Sequence, residues 1–126
     1  FVQPLTPGAA AIDLLAGSPL VAAAGYSGQT GSGSEHLAAA WVPDGSGVVF
    51  AATDNRDQAA RADTVTALWL VPATGGEPRR LTTGDASFGT PTFAADGRAL
   101  YAEMEPGSDK VSTLGRLVRF DWPAIG

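Results

Sequence analysis

Trp41-Val42-Pro43-Asp44-Gly45-Ser46-Gly47-Val48-Val49-Phe50 returns further along the chain as Phe93-Ala94-Ala95-Asp96-Gly97-Arg98-Ala99-Leu100-Tyr101. Each copy is an aromatic residue, two small or turn-forming residues, an Asp-Gly pair, and an apolar run that ends in an aromatic. The aspartate recurs after 52 positions (from 44 to 96), and the glycine keeps the same interval (from 45 to 97). Asp-Gly between apolar runs signals a β-hairpin, because glycine enters positive φ without a steric penalty. Two such hairpins at a fixed interval predict a repeat built from small antiparallel sheets.

Outward from the first hairpin, Glu35 to Trp41 reads as the strand leading in, and Val48 to Ala52 as the strand returning. The unbroken apolar run of that return strand suits burial on both faces. Thr53 to Gln58 is a polar turn, and Ala59 to Asp63 prolongs it. Val65 to Val71 is the next strand, Pro72 to Pro78 a turn, and Arg79 to Thr82 a short outer strand. The module restarts with Thr90 to Ala94, Ala99 to Met104, a loop through Pro106 to Ser108, and Leu114 to Trp122. In that last strand Val118, Phe120 and Trp122 share one face, opposite Arg119 and Asp121. A full module therefore has four strands in about the length of one propeller blade. Upstream, Leu15-Ala16-Gly17-Ser18-Pro19-Leu20-Val21 reads as a degenerate third hairpin, in preference to a short helix over Ala9 to Leu15. Gly25 to Ser34 is almost wholly small and polar, which predicts a flexible loop. Gly17 precedes Gly45 by only 28 residues, against 52 for the next interval, so either the first repeat lacks its outer strands or residues are missing between Gly25 and Glu35.

The chain has 126 residues, 44% of them apolar and 17% charged, the proportions of one folded domain. Its 16 glycines and 9 prolines fit short strands joined by tight turns. A net charge of −5 argues against nucleic-acid binding, which needs clustered Lys and Arg. With no cysteine there is no disulfide framework and no thiolate chemistry. No apolar run reaches the length of a membrane span, and Phe1 to Gly8 lacks the basic and apolar regions of a signal peptide. The missing initiator methionine suggests a chain cut from a longer protein. The compartment stays open, with the cytoplasm preferred over the periplasm or secretion.

Trp41-Val42-Pro43-Asp44-Gly45, Leu68-Trp69-Leu70-Val71 and Gly75-Gly76-Glu77-Pro78-Arg79-Arg80-Leu81-Thr82 together resemble a blade of the prolyl oligopeptidase family. More narrowly they look like the N-terminal β-propeller of bacterial dipeptidyl aminopeptidases/acylaminoacyl peptidases, whose blades read W-S-P-D-G, apolar strand, L-W-x-V, G-G-x-x-x-x-L-T. Val42 stands where that pattern has serine, and the second copy, Phe93 to Gly97, is looser. The resemblance covers roughly residues 36 to 123, closing on Leu117-Val118-Arg119-Phe120-Asp121-Trp122-Pro123. The same blade occurs in the periplasmic propeller of the Tol system. What the resemblance implies is a serine peptidase of short peptides, with a propeller that gates entry to an α/β-hydrolase domain. The family's catalytic Ser, Asp and His belong to that other domain, so no catalytic residue carries over.

The residues themselves agree. A nucleophile elbow needs Gly-x-Ser-x-Gly, and Gly25-Tyr26-Ser27-Gly28-Gln29 fails at its last position. Ser34-Glu35-His36 has the residue types of a triad in consecutive positions, whereas a triad converges from separate segments. His36 is the single histidine and offers no multi-histidine metal site. Glu103 and Glu105 share a strand face and could hold an amine or a cation, but a solvated strand end is the simpler reading. Asp54, Asn55 and Asp57 lack the glycine and distal glutamate of a calcium loop and read as turn formers. Arg79, Arg80, Arg116 and Arg119 are too scattered to track phosphates. Asp44 and Asp96 are expected to accept backbone N–H bonds inside their turns, and Trp41, Phe50, Trp69 and Phe93 to pack the blades.

The expected fold is thus all-β, a partial propeller of about two four-stranded antiparallel blades. An incomplete N-terminal strand set with its loop spans 1–34, a first blade 35–85 and a second 86–126. No catalytic, cofactor or metal residues are assigned, and no nucleic acid or membrane partner is expected. The expected role is substrate gating in a serine peptidase, the alternative a stand-alone Tol-like protein-binding scaffold. The expected partners are the hydrolase domain and remaining blades, with self-association through exposed blade edges and inter-blade faces.

Overall fold

A computed structural model describes residues 1–31, 34–107 and 114–124. Nearly all regular structure is antiparallel strand, so the chain is all-β. The strands are β1 (Ser27–Gly31), β2 (Ser34–His36), β3 (Ala39–Trp41), β4 (Gly47–Thr53), β5 (Thr66–Pro72), β6 (Arg79–Arg80), β7 (Ser87–Phe93), β8 (Ala99–Glu105) and β9 (Arg116–Asp121). A single helical turn, α1 (Pro19–Ala22), precedes them.

Strands β1 to β6 form one sheet in the order β2-β1-β4-β5-β6, and β7-β8-β9 form a second. Strand β5 pairs with β4 along its whole length, so β1 and β3 share the opposite edge. Strand β1 sits against Ala52 and Thr53, and β3 against Val48 to Phe50. The second sheet has three strands among the described residues, one fewer than the sequence predicts.

The first sheet is apolar on both faces because both are covered. Alternation along β4 and β5 sends Phe50, Ala52, Ala67, Trp69 and Val71 to one face, where they pack on Leu14 and Leu20 of the N-terminal segment. Val49, Ala51 and Leu68 point the other way and meet Leu100, Ala102, Val118, Phe120 and Trp122 of the second sheet. That shared core contains Leu68, Val49 and Leu100, all fully buried. The far face of the second sheet is different. Thr92, Tyr101 and Arg119 lie in one cross-strand row and Glu103 and Leu117 in the next, so this face is mostly polar. One face of the first sheet thus lies under the N-terminal segment and the other inside the core shared with the second sheet.

Two local expectations give way. Residues 15–21 form no strand-turn-strand. Gly17 takes φ +71, Ser18 caps α1 by accepting the Val21 N–H at 3.4 Å, and Pro19 occupies its first turn. A Ser-Pro pair before apolar residues starts a helix well, since proline's missing N–H is unneeded there. The only pairing further upstream among the described residues is an isolated bridge between Val2 and Ile12. Residues 25–34, expected as a flexible loop, supply β1 and the start of β2 instead, while Ser32 and Gly33 lie outside the described residues. The small composition here reflects close backbone approach. A Cβ on Gly25 would collide with the Asp54 carbonyl and with Asp57.

Candidate functional site

The two Asp-Gly turns are built alike, and their roles are structural. Gly45 N–H donates to Val42 O at 2.8 Å and Gly97 N–H to Ala94 O at 2.9 Å. Val42 N–H reaches Gly47 O, and Ala94 N–H reaches Ala99 O, both at 2.9 Å. The glycines take φ +75 and +70. Asp44 Oδ1 accepts the Ser46 N–H and Asp96 Oδ1 the Arg98 N–H, each at 2.9 Å. The Ser46 hydroxyl, and then its N–H, hold the Asp44 carboxyl below its ordinary pKa. Both carboxylates thus accept backbone N–H bonds inside their turns, as expected from sequence.

The other acidic candidates separate in space. Glu103 and Glu105 are exposed at the end of β8 and line a shallow polar recess of about 190 Å³ with Thr64, Thr66 and Ser87. Thr90, held at φ +49 by a β-bulge in β7, donates its hydroxyl to Glu103 Oε2 at 3.2 Å. Asp54 pairs with Arg80 at 3.5 Å. Asn55 pins the loop that follows β4: its Oδ1 accepts from the Thr53 hydroxyl at 2.7 Å and the Val65 N–H at 3.1 Å, and its amide donates to Asp63 O at 2.9 Å. These bonds cross a ten-residue loop, a wider span than a local turn. Among the described residues no group of three or more His, Cys, Asp or Glu side chains converges in metal-binding geometry. The backbone of His36 pairs with Gln29 at the end of β2. The side chains of Ser34, Glu35 and His36 lie outside the described part of the structure. Arg79 and Arg80 sit on β6, and Arg116 and Arg119 on β9 in the other sheet. Arg119 pairs with Asp121.

A larger, apolar concavity contains aromatic residues to which the sequence assigned only packing. On the first sheet's N-terminal side, Trp41, Val48, Phe50 and Val71 form the floor of a cleft of about 510 Å³. Leu14, Leu15, Val21 and Tyr26 from the N-terminal segment form its wall. Phe50, Trp69 and Phe93 pack as expected, Phe93 edge-on to Trp122 with centroids 5.0 Å apart. Trp41 does not. It retains 53% of its surface, at the end of the three-residue β3. Asp13 is the one charged side chain on the cleft wall. Burial, and secondarily the Asp13 carboxylate, push the Tyr26 phenol above its ordinary pKa. Neither Asp13 nor Tyr26 carries a sequence signal, since the loop linking them to the sheet is read only in three dimensions.

Comparison of the chain with protein-family models, with curated proteins and with solved structures gives no match. Among the described residues no helix is long and apolar enough to cross a membrane.

Proposed function

We propose that this chain is a non-catalytic portion of a β-propeller from a serine peptidase of the prolyl oligopeptidase type. In this reading residues 35–85 and 86–126 are neighbouring blades, and the propeller restricts entry to short peptides. The observation that supports it is the duplicated hairpin. Two copies 52 residues apart make the same bonds, and the sheets that contain them pack face to face through Leu68 and Leu100. Neighbouring blades of a propeller stack in this way, and about four to eight are needed to close a ring. The remaining blades and an α/β-hydrolase domain are therefore the partners this reading requires.

Two measurements test it. Incubated with aminoacyl chromogenic substrates, and separately with a fluorophosphonate probe, the chain is expected to show neither turnover nor labelling. Robust hydrolysis would refute the placement of the chemistry elsewhere. The complete open reading frame is expected to encode Gly-x-Ser-x-Gly followed by Asp and His. A frame without that elbow removes the peptidase reading.

A second reading, a Tol-like binding propeller without hydrolase, is favoured by one observation. The apolar cleft beside Trp41 is lined by residues of this chain and stays open to solvent.

A further inference from the structure

We propose that the open edge of β9 pairs with β9 of a second copy of this chain, antiparallel and in one register, to give a two-fold dimer. The inference uses only residues of this chain and stands or falls separately from the peptidase reading. In the first sheet the outer edge of β5 is occupied: β6 pairs with Trp69 and Leu70, and Leu81 N–H donates to Leu68 O at 2.8 Å. Strand β9 follows β8 as β5 follows β4, but among the described residues no strand lies on its outer side. Strand β7 is the one beside β3, β4 and β5, which puts β9 at the far side of its own sheet. Trp122 N–H donates to Arg98 O at 2.9 Å, on the side of β8. By alternation Val118 and Phe120 also turn their backbone groups to β8, and Leu117, Arg119 and Asp121 present theirs outward. A row of unpaired N–H and C=O groups is a template for another strand.

The side chains choose the register. A two-fold axis normal to the sheet keeps each side chain on its own face, so outward-bonding residues meet outward-bonding residues. Pairing centred on Arg119 sets that guanidinium against its own copy, and like charges directly opposite repel. Pairing centred on Val118 sets Leu117 against Arg119 and leaves Asp121 facing Gly115. Pairing centred on Phe120 places Arg119 of each copy opposite Asp121 of the other, two attractive cross-strand pairs. It also sets Val118 opposite Trp122 on the inner face, and Pro123, which has no N–H, ends the ladder at each side. The net charge of −5 does not oppose this approach locally, since β9 carries Arg116 and Arg119 against the single Asp121.

Sedimentation velocity of the intact chain over a rising concentration series is the test, and a monomer–dimer equilibrium is expected. Arg119→Asp sets carboxylates against carboxylates and Asp121→Arg sets guanidinium against guanidinium, so each is expected to weaken the dimer about tenfold or more. Mixed together, the two variants are expected to form a heterodimer, because each then supplies the charge that the other lacks. The exchanged double variant, Arg119→Asp with Asp121→Arg, is expected to dimerise as the parent chain does. Both side chains are exposed, and circular dichroism melts show that each variant folds. If one single variant does not fold, the other together with the double variant still decides. A chain that stays monomeric throughout overturns the proposal. So does a dimer that either single variant leaves intact, that the double variant fails to restore, or that Trp41→Ala dissociates, since such a dimer closes through another surface.

Discussion

At the scale of residues, the paired turns provide an internal control. Gly45 and Gly97 have the same left-handed backbone and the same bonds, but a Cβ at 45 meets nothing within 4 Å, whereas at 97 it meets Pro43 Cβ at 3.2 Å. Gly45→Ala therefore carries only the conformational cost of a non-glycine residue at positive φ, about 1–2 kcal/mol. Gly97→Ala carries that cost and must also displace the proline of the other turn, for about 1 kcal/mol more. Urea unfolding of the two variants measures the difference directly. Equal losses would mean that the turns do not touch in solution. The aspartate and glycine of each turn were legible in sequence because they act within a few residues of one another. The contact between Pro43 and Gly97 was not, since nothing in either turn announces the other's position.

At the scale of elements, the outer edge of the first sheet depends on a few polar contacts beside a buried tryptophan. Trp69 Nε1 donates to Ala52 O at 3.1 Å, and the Arg80 guanidinium stacks over the indole at 5.7 Å from its centroid. The Leu68 N–H, next to the short β6, is satisfied by the Thr82 hydroxyl at 3.0 Å, and Leu81 N–H returns to Leu68 O at 2.8 Å. Trp69→Phe keeps an aromatic ring but loses the bond to Ala52, at an expected cost of about 1–2 kcal/mol. Arg80→Ala removes a partly exposed cation whose ion pair and stacking together contribute about 1 kcal/mol or less. Chemical unfolding midpoints should place Trp69→Phe below Arg80→Ala, and the reverse order would move the weight of this edge onto the surface charge. The strand type of β4, β5 and β8 was readable from alternation and apolar runs. The short β1, β2 and β3 were less so. At Gly25, just before β1, the backbone of Asp54 comes too close for any side chain, an approach that a run of small residues does not announce.

At the scale of the whole molecule, one core joins the two sheets, and Leu68 and Leu100 are both completely buried in it. Neither sheet keeps its apolar face dry without the other, so they should unfold together. Leu100→Ala, in the second sheet, is expected to cost about 3 kcal/mol and to shift a single transition seen equally by far-ultraviolet dichroism and by tryptophan fluorescence. Trp69 reports the first sheet and Trp122 the second. Separate transitions from the two probes would overturn the shared core. The first sheet differs from the second in having both faces occupied, because the N-terminal segment folds back over Phe50, Trp69 and Val71.

The sequence by itself determined the all-β class, the two Asp-Gly hairpins, their 52-residue interval and most of the long strands, including the facing of Val118, Phe120 and Trp122. Those features rest on turn chemistry and side-chain alternation, which act between near neighbours along the chain. Only the tertiary structure decided what covers each sheet face and where a cleft is left. Trp41 stays half exposed while Phe50, Trp69 and Val71 of the same sheet are covered by Leu14 and Leu20, a difference that only the path of the N-terminal segment reveals. That Leu14 and Tyr26 line one cleft with Trp41 was not legible either, since an irregular segment displays no period in the sequence.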